Sequence, residues 1–234
     1  MRQSTTGYCT AQNALSIAVR VTMGADVPFL GSKRMPAPLD FYFDFSSPYG
    51  YFAASRIAAL ATRHGRTTVW HPILLGIVFK ETGGQPLPSI PLKGTYAVRD
   101  IERTARYLDI PYRAPSRFPV SGTAASRCYY WLEDRAPALA QRYAQGIFHA
   151  FFVDDRDIGA PDTVADIAAG LGVERAAAFD GLHQPAIKER LRQEVETAMS
   201  RGVFGSPFVI ADGEPFWGAD RFDQLDRWLA TGGW

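Results

Sequence analysis

One stretch constrains the fold of this chain more than any other: residues 39–52, Leu-Asp-Phe-Tyr-Phe-Asp-Phe-Ser-Ser-Pro-Tyr-Gly-Tyr-Phe. Leu39, Phe41, Phe43 and Phe45 alternate with Asp40, Tyr42 and Asp44, the period of a strand with one apolar face. The alternation stops at Ser46-Ser47-Pro48. Ser47 suits an N-cap, and Pro48 suits the first helical position, where a missing N–H costs nothing, so a helix is predicted over 49–64. The Ser47 hydroxyl then stands at the positive end of a helix dipole, where an anion is stabilised. The plainer reading, Ser47 as a cap and nothing more, fits most Ser-Pro pairs.

The far end of the chain answers this start. Gly202-Val203-Phe204-Gly205-Ser206-Pro207 leads into an apolar strand, Asp212-Gly213 reads as a hairpin turn, and Pro215-Phe216-Trp217 as the return strand. Gly218-Ala219-Asp220-Arg221 then opens a last helix. In between, residues 67–73 have the β-branched and aromatic bias of a second strand, ended by Pro72. From Leu74 the period becomes 3.6, with helices predicted near 74–82, 94–108, 123–133, 138–152, 163–171 and 185–201. Strand, helix, strand, helical middle, strand, hairpin and helix is an α/β, thioredoxin-like plan. Its core would be 38–73 and 202–234, with 74–201 as an inserted all-helical subdomain. In such folds the proline before the third strand is cis and faces the start of the first helix.

Composition narrows the chemistry. With 47% apolar residues in 234, the chain can bury a full core. Its formal charge of +1, from 25 basic and 24 acidic side chains, offers no nucleic-acid surface. No run reaches the roughly 18 apolar residues of a membrane span. Cys9 and Cys128 form neither a CxxC pair nor a disulfide framework, which favours a reducing, cytoplasmic setting. No metal site is expected, because His64, His71, His149 and His183 are scattered and Asp154-Asp155-Arg156-Asp157 lacks the spacing of a calcium loop. Neither a GxSxG elbow, a P-loop nor a Rossmann glycine fingerprint occurs. Residues 1–37 read as an N-terminal extension, expected to be largely disordered, with Met35 a natural start for the folded part.

Taken with Pro72 to Lys80 (Pro-Ile-Leu-Leu-Gly-Ile-Val-Phe-Lys), Arg117-Phe118-Pro119-Val120 and Phe216 to Arg221, these motifs make the chain resemble a known family. It is similar to the 2-hydroxychromene-2-carboxylate isomerases and the kappa-class glutathione transferases, which share the fold of DsbA-type disulfide oxidoreductases. The resemblance covers residues 39–234. Where the redox members carry Cys-Pro-x-Cys, this chain has Ser47-Pro48-Tyr49-Gly50, which supplies no thiolate for disulfide exchange. The resemblance instead implies glutathione as the cofactor, its thiol held as thiolate by the Ser47 hydroxyl. Ser206, before the cis Pro207, would pair by its backbone with the cysteinyl part. Asp220 would receive the γ-glutamyl ammonium, and Ala219 and Arg221 the adjoining carboxylate. Kappa enzymes tend to have Ser where Ala219 stands, which removes one hydroxyl contact.

For the substrate, an aromatic carboxylate, the resemblance points to Lys80 first and Lys93 second as the cation, with Tyr49 as a stacking surface. Asn often follows the Phe-Pro-Val motif in the family; here Ser121-Gly122 follows, a departure that bears on the substrate. The implied activity is a glutathione-dependent isomerisation in aromatic-compound degradation. A kappa-like transferase is the alternative, and a non-catalytic thioredoxin-like peptide-binding protein a third reading. A homodimer is the assembly expected, although the residues themselves leave oligomeric state open.

Overall fold

Residues 36–234 are described by a computed structural model; the expectations for the N-terminal extension fall almost wholly outside them. Along the chain lie β1 (Leu39–Phe43), α1 (Pro48–Ala54), α2 (Ile57–Arg63), β2 (Thr68–Pro72), α3 (Leu75–Thr82), α4 (Lys93–Tyr107), α5 (Thr123–Glu133) and α6 (Pro137–Phe152). α7 (Pro161–Ala169), α8 (Arg175–His183), α9 (Pro185–Ser200), β3 (Phe208–Ala211), β4 (Glu214–Trp217) and α10 (Phe222–Thr231) follow, with short 3-10 turns at Leu87–Ser89 and Ala219–Arg221.

The sheet runs in the order β2-β1-β3-β4. β1 is parallel to β2, with Leu39 opposite Thr68, and antiparallel to β3, with Phe41 opposite Val209; β4 returns antiparallel to β3. Asp212 and Gly213 have φ of 54° and 91°, the two positive values that the tight turn of a right-twisted hairpin requires. Alternation in β1 sorts its side chains. Phe41 and Phe43 meet Trp70 edge-on at 5.1 and 5.5 Å, and Phe45 packs on Phe148 of α6 at 5.2 Å. Asp40 and Tyr42 face away from this cluster, Asp40 bonding Arg201 at the end of α9 (2.6 Å) and Tyr42 stacking on His71 at 4.5 Å. Ile101, Tyr130, Phe148 and Leu191 of the inserted helices share one buried cluster with Phe41, Phe43 and Val209 of the sheet.

On the outer side of β2, three carbonyls are covered by side chains of the insertion. Gln141 Nε2 donates to Thr68 O (3.3 Å), Tyr129 OH to Trp70 O (3.1 Å) and Tyr130 OH to Pro72 O (2.9 Å). The opposite edge, β4, contains Pro215, which has no N–H to offer.

Two expectations need correction. The single helix predicted over 49–64 is two, α1 and α2, separated at Ser55-Arg56. Ser55 Oγ donates back to Tyr51 O (3.0 Å), a contact that bends helices, and Arg56 takes φ −120°. α8 was not anticipated, because its Ala-rich run has little apolar period. Glu174 caps it by accepting from Ala176 N and Ala177 N. Gly181 admits the Trp131 indole, which a Cβ there would approach to 2.4 Å.

Candidate active site around Ser47

β1 leads into a turn in which Ser47 N donates to Asp44 O (3.0 Å). Ser47, only 7% exposed, is the N-cap of α1: its φ and ψ are −88° and 115°, and its Oγ accepts from Gly50 N (3.0 Å). That leaves the hydroxyl proton for a partner outside the helix. It goes to Ser206 O at 3.1 Å, across 159 residues of sequence. Pro207 follows with a cis peptide bond, as the resemblance implied. Ser206 Oγ in turn accepts from Asp44 N (2.9 Å). Gly50 makes room for this approach, since a Cβ would lie 2.8 Å from Ser206 Oγ and 3.1 Å from Ser47 Cβ.

The Asp220 segment joins the same cluster through the backbone. Gly218 N donates to Pro207 O (3.0 Å), and the 3-10 turn Ala219–Arg221 packs against α1. Ala219 is buried; Asp220 and Arg221 are exposed and paired, Nη1 to Oδ2 at 2.9 Å. Asp220 caps neither this turn nor α10, whose N-cap residues are Gly218 and Arg221. Tyr49, half-buried against Phe52, donates from its hydroxyl to Asp100 Oδ2 on α4 (2.6 Å). Burial, and then this carboxylate, push the Tyr49 phenol above its ordinary range. The two lysines occupy the helices of the insertion: Lys80 is exposed in the last turn of α3 and Lys93 is exposed at the first position of α4. Among the described residues, then, the structure joins Ser47 to Ser206 and Pro207 directly, packs the turn of Ala219, Asp220 and Arg221 against α1, and turns the Tyr49 hydroxyl toward α4. It shows no bond from either lysine to that group.

The DSBA-like thioredoxin domain profile matches residues 38–230. Over 201 residues the chain is 30% identical to a 2-hydroxychromene-2-carboxylate isomerase of Sphingobium xenophagum, covering 83% of this chain and 99% of that one. The chain belongs to the 2-hydroxychromene-2-carboxylate isomerase family of DSBA-like thioredoxin domains. Glutathione S-transferase kappa 2 of Caenorhabditis elegans is 29% identical, over 81% of this chain and 90% of its own. A solved structure of a 2-hydroxychromene-2-carboxylate isomerase superposes with a TM-score of 0.75 at 29% identity, covering 82% of this chain and 94% of that one.

In this member of the isomerase family, one further residue near the site stands out in the structure and not in the sequence. Asp44 is 4% exposed; its Oδ1 accepts from Ser46 N (2.7 Å) and Ser46 Oγ (3.0 Å), and its Oδ2 from Leu75 N at the start of α3 (2.8 Å). Burial pushes its carboxyl above the usual range, and the three donors offset this only in part. Its sequence signal was slight, an aspartate at the first position of a turn. A second cis peptide, Phe118-Pro119, was also not foreseen. Cys128 is buried, and burial pushes its thiol up to about 12, so it stays a protonated core side chain. Cys9 falls outside the described residues. Among the described residues no His, Cys, Asp or Glu cluster could hold a metal, and no helix is long and apolar enough to cross a membrane.

Proposed function

We propose that this chain is a glutathione-dependent isomerase acting on a carboxylated chromene or a close aromatic relative. The observation that carries the reading is the Ser47 hydroxyl poised on the backbone of Ser206 beside cis Pro207, in a fold whose redox members have cysteine there. The neighbouring groups fit a γ-glutamyl tripeptide by their chemistry. Ser206 has a backbone for an extended partner to pair with, and Asp220 and Arg221 present a carboxylate and a guanidinium side by side for a zwitterionic amino-acid end.

Glutathione, when bound, supplies a thiolate nucleophile. What the chain contributes is a donor for that charge. Because Gly50 N fixes the Ser47 oxygen, only the hydroxyl proton turns, leaving the Ser206 carbonyl for the sulfur. A hydrogen bond to a charged group is worth about 1.5–3 kcal/mol, enough to lower the bound thiol's pKa by about one to two. The dipole of α1 is a minor part of this. The helix has only seven residues, Pro48 has no N–H, and that of Gly50 is already bound. Lys80 at the far end of α3 is the cation offered to the substrate carboxylate, and Tyr49 an aromatic wall beside Ser47.

A transferase reading is favoured by the nearly equal identity to the kappa enzymes. Calorimetry with glutathione comes first, then a comparison of turnover on 2-hydroxychromene-2-carboxylate and on chlorodinitrobenzene. A glutathione-dependent spectral change with the chromene is the expected result. Turnover of chlorodinitrobenzene alone would make the transferase the better description, and absence of glutathione binding would remove both.

A further inference from the structure

Among the described residues Asp44 is the only buried carboxyl, and no lysine, arginine or histidine pairs with it. Burying a carboxyl without a cation is costly unless hydrogen bonds replace the water it loses. Position in a turn accounts for one arm, since Oδ1 bonded to Ser46 two residues on is a common local motif. It does not account for the other. Oδ2 crosses to Leu75 N, the first orphan N–H of α3, and caps that helix from 31 residues away. Leu74, the residue before α3, carries no cap of its own. Meanwhile the backbone of Asp44 holds the other half of the site, its N–H on Ser206 Oγ and its C=O on Ser47 N.

We propose that the Asp44 side chain is a positioning residue that fixes α3, the helix carrying Lys80, relative to the Ser47–Ser206 pair. The division of labour within one residue makes the idea testable. The main chain serves the glutathione side and the carboxyl serves the substrate side, so a change of side chain separates them. The substrate half rests on the function proposed above; the structural half does not.

Asp44→Asn is the first test. With two donors at Oδ1 and one at Oδ2, the amide oxygen keeps the Ser46 arm and the NH2 faces Leu75 N–H, breaking the link to α3. Amide exchange across 76–82 should quicken about tenfold while that of α1 stays within about twofold of wild type. KM for the chromene should rise about tenfold, with the calorimetric Kd for glutathione changed by less than about twofold. Leu75→Pro removes the N–H, at a first helical position that accepts proline after the extended Leu74 (φ −114°, ψ 98°), together with a side chain that packs on the core; Leu75→Ala loses that packing but keeps the N–H, so the rise in KM should appear in the proline variant and not in the alanine one. This pair also carries the test if Asp44→Asn does not fold. Wild-type exchange in α3 together with wild-type KM would overturn the proposal, as would equal losses in glutathione affinity and KM. Should the wild-type protein bind no glutathione, the functional reading fails, and exchange in α3 alone decides the role of Asp44.

Discussion

Asp40 and Asp44 stand at opposite ends of β1 and have become opposite kinds of carboxyl. Burial raises both, but at Asp40 the hydrogen bonds from His71 (3.0 Å) and Arg201 (2.6 Å) outweigh it and hold the carboxyl below its ordinary value. His71 lies between Asp40 and Glu194 of α9; burial would lower it, and the two carboxylates more than reverse that and raise it. At Asp44 no cation answers, and burial prevails. The Asp40 end is an ion network that fastens α9 to the sheet. The Asp44 end is held by N–H and O–H donors alone, and the candidate site is built there. Direct ion pairing thus marks one end of this strand, and a carboxyl held without a cation marks the end at the candidate site.

The largest expected difference between the two ends is in turnover. Ser47→Ala should lose about ten- to 150-fold in kcat, with glutathione affinity largely kept, while Asp40→Asn leaves kcat near wild type. Near wild-type turnover in Ser47→Ala would end the role assigned to its hydroxyl, and dependence on Ser46 instead would shift the site by one residue. Next in size, Lys80→Met should cost about ten- to a hundredfold on the carboxylated chromene and little on an uncharged electrophile. Equal losses on both would turn Lys80 into a support of glutathione or the fold.

Smaller effects lie in the pH dependence of stability, where the two ends should part in sign. His71, raised in the folded state, contributes fully below its unfolded pKa of about 6.5 and loses that contribution as pH rises through the folded value; Asp40 and Glu194, lowered, contribute above about 4 and lose it on acidification. His71→Gln should therefore cost about 1–3 kcal/mol near pH 5, measured by urea denaturation, and less on the alkaline side. Asp44 runs the other way. Its raised carboxyl favours the fold most below the unfolded pKa and loses this as pH rises, so wild type should weaken relative to Asp44→Asn as pH rises from about 4. Parallel pH slopes for Asp40→Asn and Asp44→Asn would erase the distinction drawn between the ends.

Much of this was legible in the residues. Two-residue alternation marks β1, Ser47-Pro48 marks the start of α1, and Asp212-Gly213 marks the hairpin; each is a local rule that tertiary structure had no reason to override. What escaped depends on partners distant in sequence. Nothing near Asp44 announces Leu75, and nothing near Gly181 announces the indole of Trp131. The break at Ser55 turns on the direction of one hydroxyl. Asp220 lies inside a 3-10 turn that precedes α10, and its carboxylate pairs with Arg221, an arrangement that no local rule in the segment announces. The closeness of Ser47 and Ser206 came from the family pattern, since spacing alone says nothing of residues 159 positions apart.

The two sides of the sheet have a consequence for how molecules of this protein meet one another. Unpaired strand edges invite a second chain to add on, the first step toward runaway assembly. Along β2 the carbonyls of Thr68, Trp70 and Pro72 are already taken by Gln141, Tyr129 and Tyr130, so an incoming strand would have to displace three side chains before gaining a ladder bond. Along β4, Pro215 has no N–H to offer an incoming strand. The inserted helices therefore act as a stopper on one flank and a single imino acid does so on the other, and the four strands end as a finished unit and not as a template.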